Sequence, residues 1–438
     1  MDKIKIIGGN QLNGKIYISG AKNAALPLIC AALLTDEPVI LTNMPILSDI
    51  KSLNALLVQL GTDIQESDDK VGKLACKRYI YQTKKFASLV APYDYVRKMR
   101  ASYYVLGPVL AREGHVELSL PGGCAIGARP MDIHLNALEQ MGASIEIKNG
   151  YVVADAKKGL KGAHIIFPKA SVGATCNILM AATLARGETT IENAAKEPEI
   201  ADLIDLLTDM GAKIEGKDTS VLKIEGVKAL HGAEHAVISD RIEAGSYAIA
   251  AAITKGKIEL VNAHAEHLQS PLKILRAMDI KITEKPESIV VDARNALMQG
   301  QDIITDYYPG FPTDLQAQFM ALMTVVPGAS LVTENIWENR FMHVPELMRM
   351  GANINVHGYA SAIVRGVKRL SGAPVMATDL RASFALVLAG LAAEGETIVN
   401  RVYHLDRGYE KLEEKLKAVG ADIERIKEEY REQIGLYR

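Results

Sequence analysis

Two apolar patterns interleave along the chain. In the first, an amphipathic helix runs into a glycine and then into a strand of alternating apolar and polar residues. Its copies are LLVQLGTDIQ (56–65), LEQMGASIEI (138–147), LTDMGAKIEG (207–216), LRAMDIKITE (275–284), LMRMGANINV (347–356) and LKAVGADIER (416–425). The turning residues are Gly61, Gly142, Gly211, Asp279, Gly351 and Gly420. Glycine suits the left-handed position that ends a helix. Strict alternation after it buries one face of a strand. In the second pattern an alanine-rich helix meets a charged or glycine turn and then a β-branched strand. Its copies are CAALLTDEPVILTN, VLAREGHVELSL, AATLARGETTIEN, AAITKGKIELVN, LMTVVPGASLVTEN and LAGLAAEGETIVNR.

Six copies of each pattern define six units of about 70 residues, the first interval being longer than the rest, 81 residues against 68–72. Two helices and several strands per unit are too much for a thin solenoid. The spacing predicts an α/β protein of two pseudo-threefold domains, three units each, meeting near Leu230–Ser239. Where the N-terminal strand pairs stays open. The segment GNQLNGKI (9–16) begins like a phosphate loop, but Ile16 replaces the Ser or Thr and a strand follows. It reads as a hairpin turn.

Composition narrows the function classes. A length of 438 residues would suggest about three average domains, which the repeats reduce to two. Lys plus Arg is 50 and Asp plus Glu 52, for a net charge of −2. That balance argues against a nucleic-acid protein with a broad basic face. The first nine residues, MDKIKIIGG, lack the apolar core of a leader, and no uncharged stretch reads as a membrane span. The expectation is a cytoplasmic protein. Four cysteines (Cys30, Cys76, Cys124, Cys176) form neither a disulfide framework nor a metal spacing. His231, His235, His264 and His267 read as solvated loop residues, so no metal or other cofactor is expected.

Cys30 and Cys176 lie within apolar helical runs and read as buried. Cys76 lies in an unremarkable charged segment. Cys124 differs: LSLPGGCAIGARPMD sets it among glycines with Arg129 nearby, a cation able to favour thiolate or hold an anion. Several helix starts carry a cation where the helix dipole favours anions: Lys22–Asn23 in SGAKNAALP, Arg241 after Asp240, Arg381 after Asp379, and Arg407 in DRGYEKL. Asp314 in GFPTDLQAQ reads equally as an N-cap or as chemistry. Cationic helix starts in both halves point to a multiply charged, phosphorylated anion bound between two domains.

At these residues the chain resembles the UDP-N-acetylglucosamine 1-carboxyvinyltransferases, a family of enolpyruvyl transferases. The matching strings are SGAKNAALP, APYDYVRKMRAS, SLPGGCAIGARPMDIH, SVGAT, ENAAKEPEI, FPTDLQAQ, ENRFMHVPEL, ATDLRAS and HLDRGYEKLEEKL, from residue 19 to beyond 416. The resemblance implies two inside-out α/β domains, each of three βαβαββ repeats. One would span 22–238 and carry the Cys124 loop; the other would comprise 1–21 plus 239–438.

It also implies transfer of enolpyruvate from phosphoenolpyruvate to the 3′-hydroxyl of UDP-N-acetylglucosamine with release of phosphate, a step of peptidoglycan synthesis. Cys124 would be the acid and the site of a covalent phosphoenolpyruvate adduct, and Asp314 the base. Lys22, Arg129 and Arg407 would hold phosphate and carboxylate, supported by Arg381 and Arg340, with Asn23 orienting the reacting centre. The nucleotide sugar would contact Asn23, Arg100, Arg129, Pro130, Met131, Asp132, Ile133, Lys169, Ala170, Ser171, Val172, Asp314 and Ile336. Glu197, Asp240 and Asp379 would lie behind these. The implied partners are the two small-molecule substrates, with neither nucleic acid nor membrane, in a monomer or weak homo-oligomer. The chain departs from the family in a longer segment near Glu66–Phe86, a charged tail after Ile426, and Ala244 where Thr is common.

Two other readings compete. A shikimate-type enolpyruvyl transferase would share fold and donor but lack the PGGC loop. A non-catalytic scaffold would have eroded charges, whereas Lys22, Cys124, Arg129, Asp314 and Arg407 are all present.

Overall fold

The computed structural model describes residues 2–97, 99–120 and 131–427. The unit at 164–225 shows the plan with every strand local. Strand His164–Ile166 leads through helix Val172–Ala182 to the parallel strand Glu188–Glu192. Helix Pro198–Asp209 then leads to the hairpin Lys213–Glu215 and Val221–Glu225, whose second strand pairs antiparallel with Glu188–Glu192. Among the described residues there are six four-stranded sheets of this kind.

The turning residues adopt the conformation their pattern requires. Gly61, Gly142, Gly211, Gly351 and Gly420 have φ of 106°, 92°, 98°, 95° and 101°. Asp279 takes the same role at φ 63°, and its Oδ2 accepts the Leu297 amide at 3.0 Å. An Asp tolerates this region because its short side chain bonds nearby backbone. The long first interval lies in the hairpin Asp63–Val71 and Leu74–Gln82, nine residues per strand where Ser144–Lys148 has five.

Residues 9–16 do not form a hairpin turn. Strand Lys3–Ile7 inserts between Glu396–Asn400 and Asp422–Ile426, antiparallel to both. Strand Asn13–Tyr17 runs parallel to Lys257–Val261 in a different sheet. Had the two N-terminal strands paired with each other, the backbone groups of 396–400 and 422–426 would face a gap in the middle of a sheet. The segment between them is therefore a crossover.

Two hydrophobic clusters form, one from residues within 21–237 and one from residues 4–18 with 242–423. In the second, helices Arg241–Ile253, Gln316–Met323 and Leu380–Ala392 are buried almost all round and pack on one another. Sheets surround them with one face inward, as in Ser361–Arg365, where Ala362 and Val364 alone are buried. The chain passes between the halves twice, side by side. Ala21 N donates to Ile238 O at 2.7 Å and Asp240 N to Ser19 O at 2.8 Å. Gly20 bridges Ser239 there, and a Cβ on Gly20 would lie 1.9 Å from Asn43 O, so only glycine fits. No described helix is long and apolar enough to cross a membrane.

Candidate active site

Both crossings deliver a helix start to the seam between the halves. Lys22 opens helix Lys22–Ala31, is only 7% exposed, and donates from Nζ to Asp49 Oδ2 at 2.6 Å. Its amide donates to Asp240 Oδ2 at 3.2 Å. Asp240 caps the other crossing's helix, accepting from Ile242 N at 2.8 Å and Glu243 N at 2.9 Å. Arg407, from the opposite half, donates from Nε to Asp49 Oδ1 at 3.0 Å.

Burial lowers the Lys22 pKa; Asp49 opposes that, while Arg407 and Arg381 add to it. Burial also works against the Asp49 carboxylate, but Lys22 and Arg407 outweigh it and hold that carboxyl below its usual range. Burial thus works against the charge of this lysine, and the Asp49 carboxylate works to keep it.

Asp314 stands in the short turn Thr313–Leu315 that leads into Gln316–Met323. Its side chain caps no helix. Instead Oδ1 accepts from Arg340 Nη2 at 2.8 Å, and Oδ2 accepts from Arg381 Nε at 3.2 Å and Nη2 at 3.1 Å. The arginine side chains are 3% and 4% exposed, and that of Asp314 is 27%. The carboxylate therefore faces the solvent side of a buried cationic floor. Arg381 also lies over the Tyr409 ring, 5.5 Å from its centroid. Burial opposes the Arg381 charge, but Asp314 and Tyr409 reverse the effect and its pKa rises. Its Nη1 is buried without a hydrogen-bond partner among the described residues. Asp379 caps the helix that carries Arg381, accepting from Arg381 N at 2.8 Å and Ala382 N at 3.0 Å.

Asn23, half-buried beside Lys22, makes no side-chain hydrogen bond among the described residues. Ser171 caps Val172–Ala182 through Ala174 N at 3.3 Å. Ala170 and Val172 flank it half-buried, and Lys169 is exposed. Met131 is buried ahead of helix Asp132–Gln140, with Asp132 exposed and Ile133 half-buried. The Ile336 amide is held by Glu334 at 2.9 Å. Glu197 precedes Pro198–Asp209, and burial raises its carboxyl pKa. Cys124, Arg129 and Pro130, together with the Arg100 side chain, lie outside the described residues.

Sequence reasoning missed Asp49, Glu199 and Glu334. Arg241 donates from Nε to Glu199 Oε1 at 3.0 Å, a second charged tie across the seam with both side chains at most 10% exposed. Asp49 and Glu199 each precede their turning glycine by twelve residues. The other four repeats carry Pro130, His267, Asn339 and Gly408 at that position, so aligning them singles out no common acid. Read alone, Asp49 and Glu199 are ordinary acids in a first helical turn.

The histidine expectation also changes. His235 is not a solvated loop residue: it sits in strand Glu234–Ala236, which extends the sheet of Val39–Met44. Its side chain is 12% exposed and its Nε2 lies 2.8 Å from Asp202 Oδ1. His264 and His267 are half-buried with rings 5.6 Å apart. No metal-holding group of three His, Cys, Asp or Glu occurs among the described residues. Cys30 and Cys176 are fully buried and Cys76 is 2% exposed.

Comparison with known proteins identifies the family and the fold. The family described as EPSP synthase (3-phosphoshikimate 1-carboxyvinyltransferase) matches residues 6–416. A relative from Paramagnetospirillum magneticum, named UDP-N-acetylglucosamine 1-carboxyvinyltransferase, is 59% identical over 98% of this chain and 99% of its own. One of the same name from Granulibacter bethesdensis is 60% identical over 97% of this chain and 100% of its own. Among solved structures, the enolpyruvyl transferase NikO from Streptomyces tendae superposes with a TM-score of 0.86 at 23% identity, covering 97% of this chain and 98% of that one. EPSP synthase from Acinetobacter baumannii does so at 0.75 and 19%, covering 98% and 100%. These two establish the fold; at 59–60% identity over nearly the whole length, the sequence relatives establish the family. The chain belongs to the EPSP synthase family of enolpyruvyl transferases and, within it, to the UDP-N-acetylglucosamine 1-carboxyvinyltransferases.

Proposed function

We propose that the chain transfers the enolpyruvyl group of phosphoenolpyruvate to the 3′-hydroxyl of UDP-N-acetylglucosamine and releases phosphate, an early step of peptidoglycan synthesis in the cytoplasm. The observation that carries this reading is the placement of Asp314: a part-exposed carboxylate fixed by two buried arginines, in the half that also sends Arg407 across to Asp49 and Lys22.

The chemistry needs an acid, a base and cations. Cys124 protonates C3 of phosphoenolpyruvate, leaving positive charge at C2. The sugar oxygen attacks C2 while its proton passes to Asp314, and a tetrahedral ketal forms. The C2–O bond to phosphate then breaks, C3 loses a proton, and the double bond returns. Cys124 also forms the covalent adduct with phosphoenolpyruvate. Lys22, Arg129 and Arg407 hold the phosphate and carboxylate, and the spare Nη1 of Arg381 adds a donor. Such donors act most strongly where water is excluded. Asn23 orients the reacting centre. Arg100, Arg129–Ile133, Lys169–Val172, Asp314 and Ile336 hold the nucleotide sugar. Residues 22–238 act as one domain and residues 1–21 with 239–438 as the other, closing about the paired crossings. Separate hydrophobic clusters and the two strands at Gly20 and Ser239 support that division.

The test is phosphate release from phosphoenolpyruvate with each acceptor. Release with UDP-N-acetylglucosamine and none with shikimate 3-phosphate is the expected result; the reverse overturns the assignment.

A further inference from the structure

We propose that Glu334 is a positioning residue that locks the base Asp314 and the acceptor-binding turn at Ile336 into one register. The proposal rests on the functional reading above.

Glu334 is 3% exposed. Its Oε1 accepts from Thr305 Oγ1 at 2.9 Å, Ile336 N at 2.9 Å and Trp337 N at 3.2 Å. Its Oε2 accepts from Thr313 Oγ1 at 2.9 Å. Thr305 Oγ1 in turn accepts from Asn335 N at 2.9 Å. Three of these donors converge on Oε1 and one on Oε2. With its carboxylate buried and engaged by protein donors on both oxygens, the group acts through what it holds. It holds three segments: the end of strand Ile303–Ile304, the turn containing Thr313 next to Asp314, and the turn after strand Ala329–Thr333 that presents Ile336. Asp314 would take the proton of the sugar hydroxyl, and Ile336 would touch the same nucleotide sugar. Their relative placement decides whether that hydroxyl meets the base.

The bonding pattern predicts how substitutions differ. Glu334→Gln can keep an oxygen toward Thr305 and the two amides, which can only donate there. Its NH2 then faces Thr313, whose hydroxyl can rotate to accept. Glu334→Met keeps length but accepts nothing, so two amides and two hydroxyls lose their partner. Thr313→Val cuts only the tie to the base.

The experiment measures phosphate release with both substrates varied, plus a melting temperature for each chain. Glu334→Met is expected to raise the KM for UDP-N-acetylglucosamine about tenfold or more and to lower kcat comparably, with the KM for phosphoenolpyruvate within about twofold. Thr313→Val is expected to lower kcat about tenfold with the sugar KM held, and Glu334→Gln to stay within about threefold of the parent. Unchanged kcat and sugar KM in Glu334→Met overturn the proposal, whatever its melting temperature, as does an equal rise in both KM values. If Glu334→Met does not fold, Thr313→Val decides, and an unchanged kcat overturns the proposal. A parent chain inactive with this acceptor overturns the functional reading itself and this proposal with it, so the two failures are told apart.

Discussion

Arg407 donates to Asp49 across the seam, 3.0 Å from Nε to Oδ1, while the same carboxylate holds Lys22 at 2.6 Å. A buried acid of one half therefore fixes cations from both before any substrate arrives. On the proposed function an incoming phosphate would meet charges already in place, which is the condition for electrostatic stabilisation without reorganisation.

Asp49→Asn should leave Lys22 buried without its counter-ion. Burial already lowers that lysine's pKa and Asp49 opposes the shift, so the variant's lysine should lose its proton at lower pH. The alkaline limb of kcat/KM for phosphoenolpyruvate should move downward. Stability should fall by about 3–5 kcal/mol, as for a buried pair stripped of one partner. A pH–rate profile and a denaturation curve check both; an unmoved alkaline limb would show that Asp49 does not govern Lys22.

Asp314→Asn should lower kcat about 10²–10⁴-fold, the usual effect of losing a general base. The Asp314 side chain caps no helix, so no capping loss accompanies it. Asn can still accept from one of the two arginines. Turnover near that of the parent in a steady-state assay would remove Asp314 from the proton transfer.

Cys124 should be the single rapidly alkylated thiol. Burial pushes the pKa of Cys30 and Cys176 up, and raises that of Cys76 to about 11, so these three stay protonated and shielded. An epoxide phosphonate such as fosfomycin, carrying a dianionic head like that of phosphoenolpyruvate, should inactivate the chain stoichiometrically. Inactivation should be faster with the nucleotide sugar bound. Cys124→Asp should resist the reagent and keep activity, because a carboxyl can still deliver the proton. Peptide mapping that places the adduct on Cys76 would exclude Cys124.

Acid should weaken the fold through His134. The ring is 5% exposed, its Nδ1 lies 3.1 Å from Asn177 Nδ2, and burial lowers its pKa to about 4. An unfolded histidine titrates near 6.5. Below about pH 6.5 the unfolded chain binds a proton that the folded chain refuses until about pH 4. Stability should therefore fall as pH drops through that window, by about 3 kcal/mol from this group. Denaturation at a series of pH values should show a shallower acid limb in His134→Asn; parallel limbs would mean that His134 does not contribute.

The six turning residues were legible because a helix end is a local backbone event, and even Asp279 keeps the left-handed turn. Lys22, Arg381 and Asp314 were legible as charges at helix starts, though not the partners each one takes. The crossover at 9–16 was read as a hairpin because local pattern reports that a strand exists, not which sheet lacks one. His235 was misread for the same reason: the strand it occupies forms only against residues 40–42.

The sequence by itself determined the repeat, its helix ends, its inward strand faces and the charged helix starts, since these depend on periodicity and on backbone preferences within a few residues. The tertiary structure alone decided that Asp49 serves Arg407, 358 positions away, that Glu199 serves Arg241, and that Lys3–Ile7 completes a sheet near the far end of the chain. Those choices follow from burial. A charge or a backbone group taken out of water must find its partner wherever the fold places one, and distance along the chain carries no record of it.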